Sequence, residues 1–128
     1  RVHFSGYVDG DDYVGMLKAF NVKVFLVPGS DGTCRAVREA MAMAKPAVVA
    51  QRGMLPEIVE DGREGYVFDG SAEGLFRALR MFAQSRSHAH RMGQAARERA
   101  LRCYSLEVQA KAVAEVYENI LASRQSHS

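Results

Sequence analysis

Val22-Lys-Val-Phe-Leu-Val-Pro28-Gly-Ser-Asp-Gly-Thr-Cys-Arg-Ala-Val-Arg-Glu-Ala-Met-Ala-Met-Ala-Lys-Pro46-Ala-Val-Val-Ala50 reads as strand, turn, helix and strand in succession. The run Val22 to Val27 is nearly all apolar and β-prone, and Pro28-Gly29 stops it. A helix then begins near Thr33 or Cys34, with Val37, Ala40, Met41 and Ala44 as its core stripe. Lys45-Pro46 ends it and introduces Ala47-Val-Val-Ala50. Strands with no polar alternation are buried on both faces, and an intervening helix implies parallel pairing. The expected fold class is therefore α/β, a parallel sheet flanked by helices.

The same alternation extends both ways. Val2 to Val8 alternates with period two and predicts a strand. Asp11 and Asp12 open a helix carrying Tyr13, Leu17 and Phe20, which ends near Asn21. Gly65 introduces a third apolar strand, Tyr66-Val-Phe68. Ser71 caps a helix with the stripe Leu75, Phe76, Leu79 and Phe82. Residues 86–102 are helical by composition, and Ser105 starts a last helix with Val113, Val116, Tyr117, Ile120 and Leu121 on one face. One domain over residues 1–122 with a frayed tail over 123–128 is the expected organisation.

Composition narrows the function. The 128 residues carry a net charge of +2, with 25% charged and 48% hydrophobic residues, which excludes a disordered or nucleic-acid-coating chain. No apolar run approaches the ~20 residues of a membrane-spanning helix, and His3, Ser5 and Gly6 interrupt the first apolar stretch, so no signal peptide is read. The chain opens on Arg1, not Met, and reads as a piece of a longer protein. Cys34 and Cys103 have no metal or redox spacing and read as reduced thiols of a cytoplasmic protein. His88-Ala-His90 lies among Arg86, Ser87 and Arg91 and reads as exposed; no metal site is expected. Arg97, Arg99 and Arg102 are interrupted by Glu98 and read as a solvated helix face, not a nucleic-acid surface.

The chemistry centres on the turn after Val27. Ligands of open parallel sheets bind beyond the carboxyl ends of the strands. A helix N-terminus there offers unpaired N–H groups and a positive dipole end to a phosphate. Gly29 and Gly32 allow close approach, and at least one is expected at positive φ. Glu39 lies about 8 Å along the helix from its start, at 1.5 Å per residue. With a diphosphate on the N-terminus, the ribose reaches that level, and a carboxylate can accept both hydroxyls of a vicinal diol. An exposed i, i+4 pair with Arg35 is the equally weighted alternative for Glu39.

Asp31, seven residues, then Glu39-Ala-Met-Ala42 and Pro46 resembles a signature of the GT-B-fold retaining glycosyltransferases of the glycogen-synthase-like kind, glycosyltransferase family 4. Its usual form is Pro-Ser-x-x-Glu-Gly-Phe-Gly-x-x-x-x-Glu-Ala-Met-Ala-x-Gly-x-Pro. Val2 to Val8 is similar to that family's strand and base-site loop. Gly53-Met-Leu-Pro-Glu-Ile-Val-Glu-Asp-Gly62 with Gly65 is similar to its Gly-x-Pro-Glu-Ile-Val-x-Asp-Gly-x-x-Gly segment, and Tyr104-Ser-Leu with Tyr117 to its closing helix. Three ordered motifs span nearly the whole chain.

The resemblance implies a Rossmann-like sheet belonging to the C-terminal, donor-binding domain of a GT-B enzyme. It gives Glu39 the ribose hydroxyls and Asp31 the transferred sugar near the reaction centre. Gly29, Ser30, Gly32, Thr33, Cys34 and Arg35 fall on the loop that meets the sugar and diphosphate, and Tyr7 and Val8 on the segment that meets the base. Asp31 in place of Glu shortens the reach by roughly 1.5 Å, and Thr33-Cys34 replaces Phe-Gly. The implied parent moves a sugar from a nucleoside-diphosphate sugar, its donor, to an acceptor, with no cofactor or divalent metal required. It is expected to be cytoplasmic or peripheral to the inner face of the membrane, with a membrane-associated lipid as a candidate acceptor. An N-terminal acceptor domain and the first strands of the donor domain are absent from this sequence, so the fragment alone is expected to be inactive.

The alternative is a non-catalytic nucleotide- or partner-binding α/β module. A phospho-acceptor signalling domain would need a Lys after a late strand, which Ala50-Gln-Arg52 and Phe68-Asp-Gly70 do not supply. With the intervening strands missing, two outcomes are expected for the edge at Val22 to Val27. Either the fragment self-associates, or Val2 to Val8 moves in to pair with that edge.

Overall fold

The structure, a computed structural model, describes residues 1–27 and 34–125. The elements in chain order are α1 (Gly10–Ala19), β1 (Lys23–Phe25), α2 (Arg35–Ala42), β2 (Ala47–Ala50), α3 (Leu55–Ile58), β3 (Gly65–Phe68), α4 (Ala72–Gln84), α5 (Arg86–Tyr104) and α6 (Leu106–Gln125). The strands form one sheet in the order β1-β2-β3, parallel throughout, with Lys23 opposite Ala47 and Ala47 opposite Gly65. This is the parallel α/β layering that the apolar runs predicted.

All four residues of β2 are buried. Successive strand residues face opposite ways, so Ala47 and Val49 enter one core and Val48 and Ala50 the other. The first core gathers Val37 and Met41 of α2, Leu55 and Ile58 of α3, and Ala96 and Ala100 of α5. The second gathers Phe68 of β3, Ala78 and Phe82 of α4, and Met92 of α5. Helix α5 thus contributes to both layers. Ser71 caps α4 as expected, accepting the Gly74 N–H at 2.9 Å, and Ser85 caps α5 through the His88 N–H at 3.2 Å.

Several expectations are corrected. Val2 to Val8 is not a strand: residues 1–9 have no regular structure, and Val2, Phe4 and Tyr7 are exposed. The alternation has no neighbouring strand to face, and Gly6 at φ +72° turns the chain out of the extended region. It does not pair with β1, whose one partner among the described residues is β2. Having a single neighbour, β1 is short and half-buried, and Leu26 and Val27 are exposed. Ala44 does not belong to α2, because the helix ends at Ala42. The last helix continues through Ser123, whose hydroxyl donates to the Ile120 carbonyl at 2.8 Å, so the chain is helical past the expected boundary at 122. The short α3, a single turn with Pro56 at its start, has no helical period in the sequence long enough to predict it.

His88 and the arginines of α5 are also more engaged than their composition suggests. His88 is half-buried, 2.8 Å from the Tyr66 hydroxyl and stacked on Phe82, whereas His90 is exposed. Arg97 donates to the Ala42 carbonyl, and Arg99 donates to the Glu57 carbonyl at 2.7 Å. Arg99 also lies 3.8 Å from Glu64, a fully buried carboxylate that accepts the Glu60 N–H at 2.8 Å.

Helix α5 lies close against the turn between α2 and β2 at Gly93. A Cβ built there would collide with the Ala44 carbonyl oxygen and stand 3.3 Å from the Pro46 ring. Both obstacles are backbone or ring atoms that cannot turn aside. Gly93→Ala is therefore expected to cost about 1–3 kcal/mol, the range for overpacking. Urea unfolding checks it, and an unchanged midpoint would show that α5 can move outward freely.

Candidate functional site

The site is built around α2. Cys34 is its N-cap residue, buried, in the left-handed region at φ +52°, ψ +41°, and its carbonyl accepts the Val37 N–H at 3.0 Å. The first N–H groups of a helix have no acceptor within it, so this terminus offers donors at the carboxyl side of β1. Gly29, Ser30, Asp31, Gly32 and Thr33 lie outside the described residues, and the expectation of a positive φ at Gly29 or Gly32 falls there too. Arg35 begins the helix with its side chain pointing mostly into solvent.

The other end of α2 closes in a Schellman arrangement. The Ala44 N–H donates to Met41 at 2.9 Å and the Lys45 N–H to Ala40 at 3.0 Å, with Ala44 at φ +57°. Cys34 and Ala44 are the two non-glycine residues at positive φ among those described. In the motif quoted above, both positions are glycine. Glycine takes the left-handed region without steric cost, so the backbone at Cys34 and Ala44 has the conformation that glycine at those positions favours.

Glu39 sits five residues beyond Cys34, half-buried at 35% side-chain exposure. Oε1 lies 3.4 Å from Arg35 Nε, so the i, i+4 pair exists, but Arg35 is 80% exposed and such a pair is worth little in water. Oε2 accepts the Tyr13 hydroxyl of α1 at 2.6 Å. That bond to a carboxylate, with burial adding to it, pushes the Tyr13 hydroxyl up to about 12, so it remains a donor at neutral pH. Lys23 of β1 is within electrostatic reach: burial lowers its pKa, and the Glu39 charge partly offsets this. Its ammonium lies 5.7 Å and 5.9 Å from the Phe20 and Phe25 ring centres.

Arg35, Arg38 and Glu39 line one wall of an open cavity of about 370 Å³, with Ala100, Tyr104 and Gln109 opposite. Arg38 stacks on the Tyr104 ring at 4.7 Å. A larger cavity, about 650 Å³, is lined by residues preceding β1 and β2, including Val22, Lys45 and Pro46, with Arg86 and His90. It opens at the amino ends of the strands, opposite to where parallel sheets bind ligands. Tyr7 and Val8 lie in the irregular segment before α1, with Tyr7 93% exposed and not gathered against Glu39. Among the described residues, no three His, Cys, Asp or Glu side chains gather as a metal site, and no helix is long and apolar enough to cross a membrane. The composition-based reading missed Tyr13 as a partner of Glu39. Its only signal was a place on the inward face of α1.

Residues 1–99 match the family model described as glycosyl transferases group 1. The chain is 38% identical over 90 residues to a D-inositol 3-phosphate glycosyltransferase of Streptomyces avermitilis, covering 70% of this chain and 18% of that protein. It is 32% identical over 101 residues to the sulfoquinovosyl transferase SQD2 of Arabidopsis thaliana, covering 74% and 19%. The chain thus spans about a fifth of the length of these curated relatives. Among solved structures, it resembles sucrose-phosphate synthase from Thermosynechococcus elongatus with a TM-score of 0.79 at 26% identity, over 96% of this chain and 31% of that one. It also shares the fold of Anabaena HepE, solved in complex with UDP and glucose, with a TM-score of 0.82 at 22% identity, over 93% and 32%.

The two left-handed alanine and cysteine positions generate a test. An L-residue in this region costs about 1–2 kcal/mol, and glycine does not share that cost. Ala44→Gly is therefore expected to raise stability by about 1 kcal/mol in urea unfolding. A loss of stability would show that the Ala44 methyl contributes more by packing than its backbone angle costs.

Proposed function

The chain belongs to the group 1 glycosyl transferases, and from that premise we propose that it is the nucleotide-sugar-binding part of a retaining enzyme that transfers a sugar from a nucleoside-diphosphate sugar to an acceptor. The observation that carries the reading is Glu39. Its carboxylate stands one and a half turns into α2, in the motif's register, with its oxygens oriented by Tyr13 and Arg35 and still open to solvent. In this reading Glu39 accepts the ribose hydroxyls while the N–H groups opening α2, with Cys34 and Arg35, meet the diphosphate. As the bond to the sugar breaks, negative charge grows on the departing diphosphate, and those donors and the Arg35 guanidinium stabilise it.

Gly29, Ser30, Gly32 and Thr33 complete the phosphate loop in this proposal, Asp31 positions the sugar, and Tyr7 and Val8 meet the base. The rest of such an enzyme, including its acceptor-binding domain, has two surfaces to pack on. One is the outer edge of β1. The other is the exposed face of α6 formed by Val113, Val116, Tyr117, Ile120 and Leu121. A second copy of the chain is the alternative occupant of the β1 edge. In the same proposal the enzyme is cytoplasmic or peripheral to the inner face of the membrane, with a membrane-associated lipid as a candidate acceptor.

Glu39→Gln in the intact protein keeps an acceptor for Tyr13 but removes the charge. Binding of the preferred nucleoside diphosphate among UDP, GDP and ADP is expected to weaken by about 1–3 kcal/mol, with the melting temperature nearly unchanged. Calorimetry giving unchanged affinity and a lower melting temperature would make Glu39 a structural residue only.

A further inference from the structure

Glu39 has a partner that the motif does not include. Tyr13 lies 26 residues upstream on another helix, yet its hydroxyl reaches Oε2 at 2.6 Å, the short distance of a charge-assisted O–H···O⁻ bond. A carboxylate has about four lone-pair sites, two on each oxygen. Tyr13 occupies one on Oε2, and Arg35 faces Oε1 at 3.4 Å. What remains is one acceptor site on each oxygen, the number that two adjacent hydroxyls require.

The docking of α1 does not depend on this bond alone. Leu17 is buried in the fold, and Lys45 Nζ donates to the Lys18 carbonyl at 2.6 Å, holding the carboxyl end of α1 against the turn after α2. Tyr13 sits one turn earlier, and its rigid ring carries the hydroxyl across to α2. The Tyr13 proton remains in place up to about pH 12, so the donor is present under all ordinary conditions.

We propose that Tyr13 is a positioning residue for Glu39: its hydroxyl orients the carboxylate so that one acceptor site on each oxygen serves a single vicinal diol, which makes the site selective for ribonucleotide over deoxyribonucleotide. The inference rests on the assignment of Glu39 to the ribose. Arg35, exposed on a long side chain, cannot fix the carboxylate by itself, whereas the phenol has two torsions and is half-buried. Two other roles for the same contact make different predictions. A tyrosine that only docks α1 affects every ligand of the site alike. A tyrosine that plugs the site competes with ribose and weakens its binding.

The test titrates the intact protein with UDP, GDP and ADP and compares the tightest binder with its 2′-deoxy form, in wild type, Tyr13→Phe and Glu39→Gln. Wild type is expected to prefer the ribonucleotide by at least about tenfold, as for hydrogen bonds to a charged group. Tyr13→Phe keeps the ring and is expected to weaken the ribonucleotide about five- to tenfold. The 2′-deoxy form is expected to stay within about twofold, which also shows that the variant is folded. An equal loss for both ligands, unchanged discrimination, or tighter ribonucleotide binding overturns the role of Tyr13 while leaving Glu39 in place. A wild type that does not discriminate, or a Glu39→Gln variant that discriminates as well as wild type, overturns the assignment of Glu39 and this inference with it.

Discussion

Burial of β2 on both faces is the constraint on which the rest of the structure depends. Four small or β-branched residues with no exposed surface require cover on each side of the sheet, and each buried valine contributes about 1.5–3 kcal/mol when it is covered. Helices α2, α3 and α5 supply one side; α4 and the start of α5 supply the other. Because Val37, Ala40 and Met41 must face β2, the rotation of α2 about its axis is fixed, and Glu39 is left at the margin of the packed face. The position of the candidate ligand-binding carboxylate thus follows from the packing of its apolar neighbours.

A second set of contacts holds the segment after β2 in place. Arg99 of α5 binds the Glu57 carbonyl of α3 and lies within 3.7–3.8 Å of the Glu60 and Glu64 carboxylates. Arg63 pairs with the same two acids at 3.3 Å and 3.5 Å. Glu64 is fully buried and Arg99 largely so, whereas Glu60 and Arg63 are about half exposed, so the Arg99–Glu64 pair is the part of the cluster least screened by water. The cluster ties α3, which follows the carboxyl end of β2, to the helix that spans both cores. The cavity wall formed by Ala100 and Tyr104 belongs to that same helix, so core packing and site geometry share one support.

Local signals made much of this legible. The unbroken Ala47–Ala50 run announced a doubly buried strand, Ser71 announced the start of α4, and the spacing from the turn to Glu39 placed that residue about 8 Å into a helix. What was not legible depended on neighbours distant in the chain. Val2 to Val8 has a strand's alternation but no strand beside it, and Leu26 and Val27 are apolar but lie beyond the paired part of an edge strand. Ala44 has the spacing of the α2 stripe, yet the helix reverses before it. Arg99 and His88 look solvated by composition, and only the tertiary fold brings them to Glu64 and Tyr66. The Tyr13–Glu39 bond is of the same kind: two helices, each readable alone, whose meeting no local pattern encodes.

The central claim is that a nucleoside diphosphate lies along α2, with its phosphates at the helix start and its ribose at Glu39. A crystal structure of the intact protein with the bound nucleoside diphosphate tests it most directly. The account predicts ribose hydroxyls within hydrogen-bonding distance of both Glu39 oxygens, Tyr13 still bonded to the carboxylate, and phosphate oxygens against the N–H groups that open α2. A nucleotide seated instead in the cavity of Val22, Lys45 and Arg86, or one whose ribose has no contact with Glu39, would contradict it.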